Sequence, residues 1–229
     1  MKLANNIGLL TFAREGMGSL HLVLAWDEKN LVLIDAGVPG QTDDIVKAIA
    51  DAGHKAEDLT HLIITHQDWD HVGCVADLRK IAPSLQIVAH ADEAEYLDGR
   101  TLPIKLAARL QQRDTMTDEQ KTAVDRWNDM YTNSPTPVHI EVQDKENLPI
   151  CGGIEIVHVP GHTPGHIAVY FKEANIIVCG DAVNIRDGQL VGSSPIFTHD
   201  MPQAEASFEK IKDYSAAGIV AYHGGFMSL

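Results

Sequence analysis

The chain has 229 residues, 45% hydrophobic and 22% charged, which is the make-up of a single globular domain spanning residues 1–229. A formal net charge of -14 repels phosphate backbones, so no nucleic-acid partner is expected. No apolar stretch reaches the roughly 18–20 residues of a membrane span, the start has no signal-peptide core, and the three cysteines lack paired spacing; together these point to a cytoplasmic protein with reduced thiols and no membrane partner.

In chain order, NIGLLTF, SLHLVLAW and NLVLIDAG are short runs rich in Leu, Val and Ile, bounded by Gly, Asp and Asn, and read as strands. GVPGQTDDIVKAIADAG predicts a helix with Thr42 as N-cap, Asp43 and Asp44 in the first turn and Gly53 at its end. HLIIT is a buried strand, GCVADLRKIA a helix stopped by Pro83, and LQIVAH another strand. From about 91 to 131 the apolar spacing turns helical, in ADEAEYL, PIKLAARLQQRD and DEQKTAVDRWNDMY. Strands return with PVHIEV, GIEIVHVP, HIAVYF and NIIVCGD, followed by the helix QAEASFEKIKDY and the strand GIVAYHGG. This order predicts an α/β fold of two sheets packed on each other with helices outside. The helical insert would sit at one edge, where it reads either as a lid over a pocket or as packing with a solvated, charged face.

The chemistry concentrates at strand ends. THQDWDHVG places His66, Asp68, Asp70 and His71 within six positions, directly after HLIIT. His162 follows in VPGHTPGH, Asp181 in IIVCGDA and His223 in IVAYHGG. Each has an ordinary reading alone: a satisfied histidine, a turn aspartate, a Gly/Pro turn. Four stretches that all put His or Asp at a strand end argue for one shared site. Twelve histidines in the chain point the same way.

His66-x-Asp68-x-Asp70-His71, then His162, Asp181 and His223 in that order, resembles the metallo-β-lactamase-fold hydrolase superfamily. The resemblance covers nearly the whole chain. It implies a four-layer αββα sandwich with the helical insert near 91–131, and two divalent metals. Metal one would take His66, Asp68 and His162, and metal two Asp70, His71 and His223, with Asp181 bridging. Imidazole and carboxylate ligands suit zinc. Two such metals would share a hydroxide and present it to a carbonyl or phosphoryl centre of a small molecule. Asp70 would be the catalytic residue that orients the hydroxide and passes a proton to the leaving group.

Position 68 departs from the family pattern, which usually has His there. The extra carboxylate weakens metal one as a Lewis acid and moves preference toward iron or manganese. The expected activity is hydrolysis of a small ester, lactone or related carbonyl compound. A non-haem iron oxidoreductase and a phosphodiesterase stand as alternatives. Lactonases of this type carry Tyr three positions after the bridging Asp, where this chain has Asn184.

Among the remaining residues, Asp35 reads either as an acceptor for a ligand imidazole or as a turn residue. His166 reads as structural, bonding across its loop, and His199 either as a pocket-lining residue or as one at the surface or a helix N-terminus. His90 and His158 read as scattered surface or strand positions. Cys74 and Cys179 read as buried thiols, and Trp69 as pocket wall or core cover. The sequence leaves homo-oligomer formation unread.

Overall fold

The computed structural model describes residues 1–229 and contains two β-sheets face to face with helices on both outer sides. The first sheet takes seven strands in chain order: β1 (Lys2–Ala4), β2 (Ile7–Arg14), β3 (Gly18–Trp26), β4 (Leu31–Ile34), β5 (His61–Ile63), β6 (Gln86–His90) and β7 (Ile140–Val142). Pairing is antiparallel up to β4 and parallel from β4 to β7. Helices α1 (Thr42–Asp51), α2 (Trp69–Val72) and α3 (Val75–Ile81) lie in its crossovers, and α4 (Ala91–Leu97), α5 (Ile104–Gln111) and α6 (Asp118–Asn133) form the insert between β6 and β7.

The second sheet runs in the order β15 (Gly225–Ser228), β14 (Gly218–Ala221), β11 (Ile176–Val178), β10 (Ile167–Phe171), β9 (Ile154–His158) and β8 (Asn147–Leu148). β12 (Val183–Arg186) and β13 (Gln189–Gly192) make a separate hairpin, and α7 (Met201–Lys212) covers the outer face.

The layering follows from the two-residue period of a strand. In β3, Val23 and Ala25 face the second sheet, while Leu22 and Leu24 face the helices. In β10, Ile167, Val169 and Phe171 point inward to the same central core, and Ala168 joins the cluster under α7. The central core therefore draws on both sheets, with Ile34, Ile63 and Val88 from one and Ile156, Val178 and Val220 from the other. Strands with two apolar faces, such as LVLI of β4, read as unbroken hydrophobic runs because both sides are covered.

Strand direction decides where the site forms. β4 and β5 are parallel, as are β11 and β14. β9 is two antiparallel steps from β11, so it runs the same way. The loops after β4, β5, β9, β11 and β14 carry Asp35, the 66–71 motif, His162, Asp181 and His223 respectively.

Two local expectations change. Thr42 is the first residue of α1 and not its cap; Gln41 precedes the helix, and its side chain turns back to accept from Val38 N–H at 3.1 Å. The Thr42 hydroxyl is spent on Asp77. The insert extends to Asn133, and α6 opens with a reciprocal cap between Thr117 and Gln120. No helix is long and apolar enough to cross a membrane.

Candidate metal centre

The fold brings all seven predicted side chains to one place. His66 Nε2 and His162 Nε2 lie 3.3 and 3.1 Å from Asp68 Oδ2. Ligands sharing one tetrahedral zinc stand about 3.3 Å apart, from bonds of roughly 2.0–2.1 Å. His223 Nε2 is 3.4 Å from Asp70 Oδ2, and His71 Nε2 is 3.9 Å from the same oxygen. Asp181 straddles the two groups: Oδ2 is 3.5 Å from His162 Nε2, and Oδ1 is 3.5 Å from His71 Nε2 and 3.6 Å from His223 Nε2. Each group is compact enough to hold a metal ion.

The donor atoms themselves fit a cation. His66 Nε2, His71 Nε2 and Asp181 Oδ1 are buried without a hydrogen-bond partner. Orphaned buried polar atoms are rare because they forfeit their hydration. Here the orphans face one another across the site.

Supporting residues set the rings. Asp35 Oδ2 lies 2.8 Å from His71 Nδ1, which fixes the ring so that Nε2 faces the site. Thr65 donates to the same carboxylate through its hydroxyl and backbone N–H, and its Oγ1 lies 3.0 Å from His66 Nδ1. Asp35 holds φ at 62°, a left-handed conformation uncommon outside glycine. The Tyr222 ring packs on His71 at 3.8 Å, and its hydroxyl donates to the Asp70 carbonyl. His166 has the structural role read from the sequence: its Nε2 accepts from Asp181 N–H at 3.1 Å. Gly180 makes that contact feasible. Its φ is +52°, and a Cβ there would sit 2.8 Å from His166 Nε2.

A second tier joins the ligand loops. Glu93, buried on α4, accepts from the backbone and side-chain N–H of Gln67, each at 2.9 Å, and from Gly165 N–H at 2.8 Å. It thereby ties the 66–71 loop to the 162–166 loop. Gln67 Oε1 accepts from Ile104 N–H at 2.9 Å, and the Gln67 carbonyl accepts from the Tyr131 hydroxyl. Gln67 thus receives α4, α5 and α6 of the insert, through Glu93, Ile104 and Tyr131.

The electrostatics follow from burial and crowding. Burial pushes His66 down to about 4, helped by its neighbour His71. Burial would also lower His71, but the carboxylates of Asp35, Asp181 and Asp70 hold it well above the usual imidazole range. His223 rises to about 9 against its own burial, through Asp181 and Asp70. Burial would raise Asp68, yet His66, His162 and Lys105 hold it well below the ordinary carboxylate range. The site is a sink for positive charge.

Above it lies a cavity of about 820 Å³, floored by Asp68, Asp70, His162, Asp181 and His223. The insert contributes Lys105, Arg109 and Trp127 to its walls, and the β12–β13 hairpin contributes Asn184 and Arg186. Trp69 both lines the cavity and packs on the core. His199 lines it too, the pocket-lining one of the readings its sequence position allowed. His90 and His158 hold strand positions, the last of β6 and of β9, and their rings stack at 4.0 Å, with His90 Nδ1 accepting from Asp92 N–H and His158 Nε2 bonded to the Pro164 carbonyl. Sequence reasoning missed Glu93, Gln67 and Lys105, since nothing local marks a buried glutamate on a helix or a lysine that reaches inward.

The chain is similar to known proteins over most of its length. A family model described as the metallo-beta-lactamase superfamily matches residues 15–223. The YobT protein of Bacillus subtilis (strain 168) is 26% identical over 219 residues, covering 91% of this chain and 84% of its own. From the same organism, "Probable metallo-hydrolase YflN" is 24% identical over 209 residues, covering 85% and 75%. Among solved structures, the metallo-beta-lactamase family protein TTHA1429 from Thermus thermophilus superposes with a TM-score of 0.75 at 18% identity, covering 99% of this chain and 76% of its own.

Proposed function

Given that this chain belongs to the metallo-beta-lactamase superfamily, we propose that it is a metal-dependent hydrolase of a small ester, lactone or related carbonyl compound. The observation that carries the reading is the Asp181 carboxylate, which turns one oxygen to each half of a seven-residue donor cluster at the floor of a cavity. In this reading His66, Asp68 and His162 hold one ion, Asp70, His71 and His223 hold a second, and Asp181 serves both. The nitrogen and oxygen donors, with no thiolate among them, suit zinc. Bound there, the ions would supply Lewis-acid character and lower the pKa of water toward neutrality.

The chain's own residues then have distinct tasks. Asp70 faces the cavity floor 3.4 Å from His223 and is placed to hold the attacking water and return its proton to the leaving oxygen. Asn184 Oδ1 accepts from Ile185 N–H at 2.9 Å, which leaves the amide Nδ2 to donate to a substrate carbonyl oxygen. Trp69 and Trp127 line the cavity and supply apolar wall. The direct test is a panel of nitrophenyl esters and lactones with the wild type and Asp70→Asn. We expect turnover by the wild type and a loss of about 10²–10⁴-fold in kcat for the variant. Equal rates from both would remove Asp70 from the chemistry.

A phosphodiester is the second reading. Apart from the aspartates of the floor, every Asp, Glu, Lys or Arg lining the cavity is basic, namely Lys105, Arg109 and Arg186. Faster turnover of bis-nitrophenyl phosphate than of nitrophenyl acetate would favour it.

A further inference from the structure

The carboxylate at position 68 has a partner that metal ligation does not require. Lys105, the second residue of α5, contacts Asp68 Oδ2 through Nζ, and the same Nζ lies 2.9 Å from His162 Nε2. These are two of the atoms that the first half-site would turn toward a metal. An ammonium is a donor only, so it engages the same lone pairs that a cation would use. A carboxylate oxygen has lone pairs for two partners. An imidazole Nε2 has one, and it serves either Lys105 or a metal.

Charge makes the same point. Asp68 and Lys105 together are neutral, as is the imidazole that the family pattern places at 68. The insert delivers this lysine with little freedom, because its neighbour Ile104 is hydrogen-bonded to Gln67, the residue between His66 and Asp68. The ammonium lies at the edge of the cavity, with open space beside it. The second half-site, Asp70, His71 and His223, has no lysine or arginine in ion-pair contact with Asp70.

We propose that Lys105 is a built-in competitor for the first half-site, closing it on Asp68 and His162 and admitting a divalent ion only when the side chain swings into the cavity. The two half-sites then fill unequally, the Asp70 half first. This rests on the reading that the seven residues hold metal, but not on the reaction they perform. If the ammonium keeps the site closed nine-tenths of the time, the apparent Kd of the first half-site is about tenfold weaker than its intrinsic value.

The test is a zinc titration of chelator-stripped protein against a chromophoric competitor, with ions per chain counted by plasma mass spectrometry. Wild type, Lys105→Met, Lys105→Gln and Lys105→Arg are compared, with circular dichroism to verify folding. Two unequal dissociation constants are expected for the wild type. Both neutral variants should tighten the weaker one by about tenfold, and Lys105→Arg should retain the weak constant. An unchanged or weaker constant in the folded neutral variants would overturn the proposal. Absence of zinc binding in every protein would overturn it together with the metal centre. Ester turnover measured on the same samples is a separate readout: two zincs bound without turnover contradicts the hydrolase and leaves the competition standing.

Discussion

At the scale of single residues, Asp35 shows how a strained position is used. Its left-handed backbone swings the carboxylate under Thr65 and His71, and the short contact to His71 Nδ1 settles which ring nitrogen faces the site. Replacing it with Asn keeps the shape but removes the charge and one acceptor oxygen. Asp35→Asn is expected to weaken zinc affinity about 10–100-fold, measured by chelator competition; an unchanged affinity would make Asp35 a turn residue only. The sequence left those two readings of Asp35 open, because an Asp before Ala and Gly serves either. The seven candidate ligands were far more legible, since they follow short apolar strands and the 66–71 stretch carries an unusual density of His and Asp. Lys105 was not legible at all. Its role depends on where α5 lands, and a lysine on an amphipathic helix ordinarily faces water.

Among the elements, the structure binds the two ligand loops and the insert into one unit through Glu93 and Gln67. Glu93 is fully buried, and desolvation pushes its carboxyl up to about 7, with the N–H donors of Gln67 and Gly165 offsetting only part of the effect. A raised carboxyl pKa means that the folded state holds a proton the unfolded chain has released. The associated stability is fully present below the ordinary value near 4.5 and is lost as pH rises through about 7. In metal-free protein, wild type should therefore lose on the order of 2–3 kcal/mol between pH 4.5 and 8 relative to Glu93→Gln, which has nothing to titrate there. Urea unfolding at several pH values measures this, and parallel pH profiles for the two proteins would refute it.

Most strands were readable from apolar runs bounded by turn residues. The β12–β13 hairpin was missed although its signal was present: Asp187-Gly188 is a two-residue turn with φ of 51° and 72°, the pairing that mirror-image hairpin turns require. It matters because this hairpin carries Asn184 and Arg186 to the cavity. The very short β8 and the terminal β15 had no comparable signal.

For the whole molecule, the parallel alignment of β4 with β5 and of β11 with β14 turns five separated loops toward one end of the sandwich. A shared apolar core between the sheets holds those loops in register. Charge is distributed to match: the chain carries -14 overall, yet the side walls of the cavity bear three basic residues and no acidic one. The acids gather at the floor, as Asp68, Asp70 and Asp181. The layer order was legible from the succession of strands and helices, and the site from its motifs. For the insert the sequence left two readings open, a lid over the pocket and plain packing with solvated charge, because helical periodicity shows that a face is buried but not what it is buried against; Lys105, Arg109 and Trp127 stand in the cavity wall.

The most direct test of the account is the rate of ester hydrolysis by chelator-stripped protein as zinc is added back, with bound zinc counted on the same samples. No turnover is expected at zero zinc, with a rate that rises with loading and levels off at about two ions per chain. A rate independent of zinc, or full occupancy with no hydrolysis of any ester or lactone, would contradict it.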